Sequence, residues 1–184
     1  MADDRAIEQL QAEYQRFQIY LQDCIKKFDW QSFEGADLSE LDFSGVDLYG
    51  VNLAGADLRY CDFSGSALNN ANLRRANLTE ADLSEADLSG ATLVETNFTE
   101  ADLAEANLSG ADLFAANLTE ADFSEADLSG ANLSNATLIE TDFSEADLTN
   151  AKLDGADWTN ADFSDAIGVD WLAEDDENED DEPS

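Results

Sequence analysis

The sequence predicts an all-β solenoid, a narrow four-sided coil, and three observations predict it. From residue 31 to 165 the chain repeats every five residues, without an insertion, for 27 units. The large apolar residue of each unit, its centre, is always Leu, Phe or Trp, from Phe33 and Leu38 through to Trp158 and Phe163. The Phe centres at 43, 63, 123, 143 and 163 fall in one column of period twenty.

A period of five excludes the regular elements. On an α-helix five residues turn about 500°, so successive centres would march around the axis and form no stripe. On one flat strand five is odd, so successive centres would fall on opposite faces. A chain that turns a corner every five residues buries the pattern. The centre and the residue two before it then both point inward, being two apart on an extended segment. That minus-two residue is Ala in 19 of 27 units, small enough to let the walls approach. The superperiod of twenty sets four units per coil, hence just under seven coils in a stack roughly 30 Å long at the usual ~4.8 Å spacing. Two residues after the Leu centres at 48, 68, 88, 108, 128 and 148 stand Gly50, Asn70, Gly90, Gly110, Gly130 and Asn150. Gly and Asn best tolerate positive φ, so this column reads as a corner.

The flanking segments have other patterns. In residues 1–30, Ile7, Leu10, Tyr14, Phe17, Leu21, Ile25 and Phe28 recur at steps of three or four, one apolar stripe on a helix. Asp3 and Asp4 near its start and Lys26 and Lys27 near its end suit the helix dipole. Its expected role is an N-terminal helical cap on the first coil, which repeat arrays need; the alternative is pairing with a second chain, a homodimer through this helix. Residues 166–172 leave the register with Ile167, Val169, Trp171 and Leu172, enough to cover the last coil as a C-terminal cap. Residues 173–184 hold eight acids in twelve positions and the only proline, and are expected to form a disordered acidic tail.

Composition narrows the function. Forty-three Asp and Glu stand against 8 Lys and Arg, a net charge of -35, on a chain that is 43% hydrophobic and therefore folds. Such a chain repels nucleic acid and anionic membranes and draws basic partners by long-range attraction. It has no His, the commonest general base and metal ligand. Cys24 and Cys61 have no metal-like spacing and read as reduced thiols. No stretch approaches the ~20 apolar residues of a membrane span, and the start is acidic where a secretory signal is basic. The expectation is a cytoplasmic protein without cofactor, metal or membrane contact.

Units such as Ala81-Asp82-Leu83-Ser84-Glu85 and Ala126-Asp127-Leu128-Ser129-Gly130 resemble the A-(D/N)-L-x-x motif of pentapeptide-repeat proteins, over 135 of 184 residues. The resemblance implies a right-handed quadrilateral β-helix. Such proteins are numerous in cyanobacteria. The best-understood relatives, from mycobacteria and from quinolone-resistance plasmids, mimic duplex DNA and bind gyrase, a type II topoisomerase. Those relatives commonly dimerise through a C-terminal helix, and some carry projecting loops. Here the helix is N-terminal and the repeat is uninterrupted.

The acids are segregated. The arcs 80–87, 100–107, 120–127 and 140–147 hold 15 acids in 32 residues, while the arcs between them from 88 to 159 hold four in 48. Arg59, Arg74, Arg75 and Lys152 all lie outside the acidic arcs. The residue before the centre is Asp or Asn in 22 of 27 units, which points to a side-chain hydrogen bond to local backbone that either residue can make. The column at 42, 62, 82, 102, 122, 142 and 162 is Asp throughout, which begins to favour charge. The Glu columns speak more strongly for a binding face, because carboxylates ~5 Å apart repel by ~0.8 kcal/mol per neighbouring pair in water-like dielectric. The candidate partner-binding face is Glu80, Asp82, Glu85, Glu100, Asp102, Glu105, Glu120, Asp122, Glu125, Glu140, Asp142 and Glu145, with no catalytic, cofactor or metal residues. The expected function is a non-enzymatic protein-binding scaffold or regulatory module whose acidic face meets a basic protein surface. The alternative is a DNA mimic that binds gyrase or another DNA-binding protein. A ladder of divalent cations is a third reading, weakened because calcium needs six to eight converging oxygens and flat columns do not converge.

Overall fold

The structure, a computed structural model, describes residues 32–169. The predicted N-terminal helix and the acidic tail lie outside the described residues, as do Trp171 and Leu172 of the expected C-terminal cap.

Each unit contributes one residue to a parallel bridge, and every bridge joins a residue to the one twenty later, from Ser32 with Asn52 to Asp147 with Ile167. Four bridge columns therefore run along the coil, one per side. We call them sides one to four, with centres at 33, 38, 43 and 48 and every twenty residues after each. The bridged residue is the Asp or Asn position, the centre follows it, and the corner is formed by the two residues after the centre.

The sequence repeats as it does because one unit satisfies all five of its own N–H groups, as buried backbone must. In Ala81–Glu85, Ala81 N–H closes a turn onto Leu78 O at 3.1 Å. Asp82 N–H reaches Cys61 O in the preceding coil, while Leu83 and Glu85 N–H reach Asp102 O and Ala104 O in the following one. Ser84 N–H points back to Asp82 Oδ1 at 2.9 Å. That last bond explains the Asp/Asn position. A side-chain oxygen is required there, and Asn serves as well as Asp: Thr99 N–H takes Asn97 Oδ1 at 3.2 Å.

The core is a column of centres walled by the small minus-two residues. Leu108 and Leu128 are fully buried in adjacent coils, and Ala106 and Ala126 beside them are 1% exposed. Phe43 stacks on Phe63 with ring centroids 5.0 Å apart, Phe123 on Phe143 at 5.4 Å and Phe143 on Phe163 at 5.2 Å, each pair one coil apart. The exceptions to Ala are accommodated by the backbone. Thr96 and Thr141 hydroxyls donate to Leu73 O and Leu118 O at 2.7 and 2.8 Å, and the Cys61 thiol lies 3.0 Å from Leu38 O. The buried Ser66 hydroxyl has no partner. Towards the ends the inward positions open: Phe33, Leu38 and Phe163 are half-buried and Trp158 is 37% exposed. Of the expected C-terminal cap, Ala166 and Val169 pack against the core while Ile167 is exposed. Between them Gly168, at φ +77°, lies so close to the backbone of Leu148 and Thr149 that no side chain fits.

The corner reading needs enlarging. Positive φ is not confined to the Gly/Asn column; it recurs at the second residue after every centre, on all four corners. Ten of those residues are Glu, with φ between +53° and +62°. The turns require this sign at their third residue, as type II turns do, whatever side chain occupies it.

Candidate carboxylate face

The fold brings the predicted face together. Asp82, Asp102, Asp122 and Asp142 are successive bridge partners on side three. Glu80, Glu100, Glu120 and Glu140 occupy the corner before that side, and Glu85, Glu105, Glu125 and Glu145 the corner after it. All eight Glu are exposed. Bridge by bridge the carboxylates form three parallel columns, one residue of each per coil. Asp87, Asp127 and Asp147 extend the charge onto side four.

The Asp and Glu positions arise differently. Every Asp of side three uses Oδ1 to accept the N–H two residues on, as Asp122 does from Ser124 at 2.8 Å. Its place is structural first, which the sequence pattern suggested for most columns and which holds for this one too. Yet on sides one and two the equivalent Asn residues do more. Asn72 donates through Nδ2 to Asn52 Oδ1 at 3.0 Å, and Asn97 and Asn117 continue such a ladder from Asn77 at 3.1 Å each. A carboxylate column cannot donate, so side three forgoes those inter-coil bonds. The Glu residues cap no turn, and each occupies a conformation L-residues adopt at a cost.

Counter-charges sit elsewhere. The ion pairs among the described residues join Arg59 to Asp57 at 2.7 Å and Arg74 and Arg75 to Glu95 at 3.3 and 2.6 Å. None touches the twelve predicted face residues. The Arg75 guanidinium beside Glu95 and the Arg59 guanidinium beside Asp57 hold those two carboxyls below their ordinary range. At the N-terminal edge of the face the Glu80 carboxylate beside Tyr60 pushes the phenol up. Sequence reasoning missed this tyrosine, which replaces Glu in the corner column between Glu40 and Glu80; the break in the column was the available signal. Among the described residues no group of three or more acidic or Cys side chains converges to hold a metal. No helix among them is long and apolar enough to cross a membrane.

Comparison with known proteins bears on this geometry. The family described as pentapeptide repeats matches in overlapping blocks at 29–65, 56–93, 81–119, 116–154 and 141–167, eight copies in all. A search of curated proteins finds no match. Among solved structures, QnrB1, a plasmid-mediated fluoroquinolone resistance protein, aligns over 77% of this chain and 91% of its own with 18% identity and a TM-score of 0.52. A pentapeptide repeat protein from the thylakoid lumen of Arabidopsis thaliana shares 29% identity, covering 69% and 68%, at a TM-score of 0.38. HetL of the cyanobacterium Nostoc, described as involved in regulating heterocyst differentiation, shares 28%, covering 74% and 91%, at a TM-score of 0.25. The repeating units and the twenty-residue bridge register agree on a quadrilateral β-helix, the family match implies its right hand, and the chain belongs to the pentapeptide-repeat family.

Proposed function

We propose that this protein is a non-enzymatic scaffold or regulatory module, a coil of just under seven turns in the cytoplasm, that presents its carboxylate columns to a basic surface of a protein partner. One observation carries the reading: Glu occupies eight positive-φ corner positions flanking side three, where Gly or Asn serves the same turns elsewhere. Placing an L-residue in that conformation costs on the order of 1 kcal/mol, and stacking like charges adds to it. A fold optimised for stability alone would place Gly or Asn there. Acidity for solubility would be spread over all sides, whereas here the arcs outside the face, from residue 88 to 159, hold only four acids in 48 residues. Catalysis is disfavoured, because no cleft holds two of these exposed carboxylates in different environments.

The charge spacing favours a second reading. Up to four carboxylates per coil, at the usual ~4.8 Å between strands, give about one charge per 1.2 Å, denser than the ~1.7 Å of duplex DNA. A DNA mimic that occupies the basic groove of a topoisomerase or another DNA-binding protein would have such a face. Affinity capture from native lysate tests both. The control is the variant carrying Glu100→Gln, Asp102→Asn, Glu105→Gln, Glu120→Gln, Asp122→Asn and Glu125→Gln. Partners lost with the control support the acidic face. If duplex DNA then displaces the captured partner, mimicry is favoured; if it does not, the scaffold is. Partners retained equally by the control overturn both readings.

A further inference from the structure

We infer that the corner diagonally opposite Glu85, Glu105, Glu125 and Glu145 is a self-recognition surface, through which two copies of this chain pair side by side and antiparallel about a two-fold axis at Val94. The corner lies between sides one and two. In three successive coils its first residue is Arg74, then Val94, then Phe114, and its second is Arg75, Glu95 and Ala115. Arg75 N–H bonds Val94 O and Glu95 N–H bonds Phe114 O, so the three levels are stacked one coil apart. First corner positions elsewhere are mostly Ser or Thr, whose hydroxyls fold back onto the Asp or Asn two residues earlier, as in Thr119 onto Asn117. Here three long or apolar side chains project instead, and Phe114 is 40% exposed. The Arg74 and Arg75 side chains are 47% and 63% exposed, and both are held towards Glu95.

The sequence of this corner is complementary to its own reverse. A two-fold axis through Val94 sets Val94 against its counterpart and places Arg74 opposite the partner's Phe114, and Phe114 opposite the partner's Arg74. Each pair matches a guanidinium with an aromatic face. At the axis Glu95 faces its own counterpart, and the pair is flanked by the Arg75 of each chain, one coil to either side. A two-fold contact of this kind is closed, so it ends at a dimer. Charge selects the occupant and the orientation. Two chains of net charge -35 repel unless their carboxylate columns face away from each other, and this corner, diagonal to one Glu column, is where two arginines outnumber one acid in consecutive coils. Three coils make a contact smaller than the ~1,200 Å² of a standard interface, so the dimer is weak and concentration-dependent. It is independent of the proposed acidic-face binding, and it would make that face bivalent by turning two carboxylate sheets outward.

Sedimentation of the full chain over a range of concentrations tests it, with disulfide trapping as the second measurement. The expected result is a monomer–dimer equilibrium that strengthens when salt is raised from ~0.05 to ~0.3 M. Salt screens the long-range repulsion, while the aromatic and apolar contact persists. Replacing Arg74, Val94 and Phe114 together by Ser, the commonest residue at first corner positions, should raise the dimer dissociation constant by about tenfold or more, about 1.4 kcal/mol. In a Cys24→Ser background, Val94→Cys should form an intermolecular disulfide under mild oxidation, and Ser129→Cys on another corner should not. A chain that stays monomeric at every concentration overturns the inference. So does a dimer that survives the triple substitution, or one that fails to cross-link at Val94→Cys.

Discussion

At the second corner position glutamate stands where the backbone favours glycine, and this makes single residues informative. Glu120, at φ +58°, costs the fold on the order of 1 kcal/mol relative to Gly, partly offset because Gly loses more freedom on folding. Glu120→Gly should therefore leave stability unchanged or raise it by up to ~1 kcal/mol in urea melts. A loss of more than ~1 kcal/mol would show that the Glu side chain supports the coil, and the functional reading of the columns would lose its basis. The opposite holds inside. Leu128 is fully buried, so Leu128→Ala should cost ~2–5 kcal/mol and Leu128→Asp should prevent folding of the array. A Leu128→Asp protein that melts like the parent would refute the inward assignment of the centres. Burial acts on chemistry too, since it pushes the Cys61 thiol up to about 11. A thiol raised in the folded state contributes stability that is full below its unfolded pKa and is lost as pH rises through the folded value. Alkylation at pH 8 should accordingly spare Cys61 until the coil is unfolded by denaturant. Rapid labelling of native Cys61 would contradict its placement in the wall.

At the scale of the repeating unit, the Asp/Asn position separates structure from charge. Asp122 accepts Ser124 N–H, and Asn would accept it equally while adding an Nδ2 donor towards the preceding coil, as Asn97 and Asn117 do. Asp122→Asn should hold or raise the melting temperature. Asp122→Ala should lower stability by ~1 kcal/mol, the net worth of one such bond. If both substitutions are equally damaging, the carboxylate charge itself supports the coil. Much of this unit was legible in the sequence, because period and polarity are properties of side chains. The centres, the Ala walls, the twenty-residue register and the backbone role of Asp or Asn all follow from residue type and spacing. What stayed hidden is carried by the backbone. Nothing in the letter Glu announces positive φ, so the column of Gly50 and Gly90 read as a corner while the equally turned Glu80 and Glu100 did not. The carbonyls taken by Thr96 and Thr141 belong to residues 23 positions earlier, a separation visible only once the coil is wound. The membership of the candidate face was readable for a simple reason: in an uninterrupted period of twenty, sequence position fixes the side.

For the whole molecule the question is how far the charge acts. Carboxylate columns gathered on one side of a rod, in a chain of net charge -35, produce a directed field, so a basic partner should be captured at long range and orient before contact. Association with such a partner should slow steeply as salt rises from ~0.05 M towards ~1 M, where the Debye length falls to ~3 Å. Dissociation should change less, because contacts already formed are screened less than the approach. Removing six carboxylates from the two central coils, as in the neutralised variant above, should flatten that salt dependence and weaken binding by well over tenfold. The coil should remain folded, since each Asn retains the turn-capping oxygen that its Asp supplied and no Glu in the set caps a turn. Replacing Ser109 and Ser129 by Ala, on the corner between sides four and one, alters neither the field nor the columns and should leave the rate constants unchanged. Surface plasmon resonance over a salt series, with all three proteins against one captured partner, separates the outcomes. Binding that survives both ~1 M salt and the six-residue neutralisation would remove the acidic face from the mechanism and leave its charge as a means of keeping the rods apart.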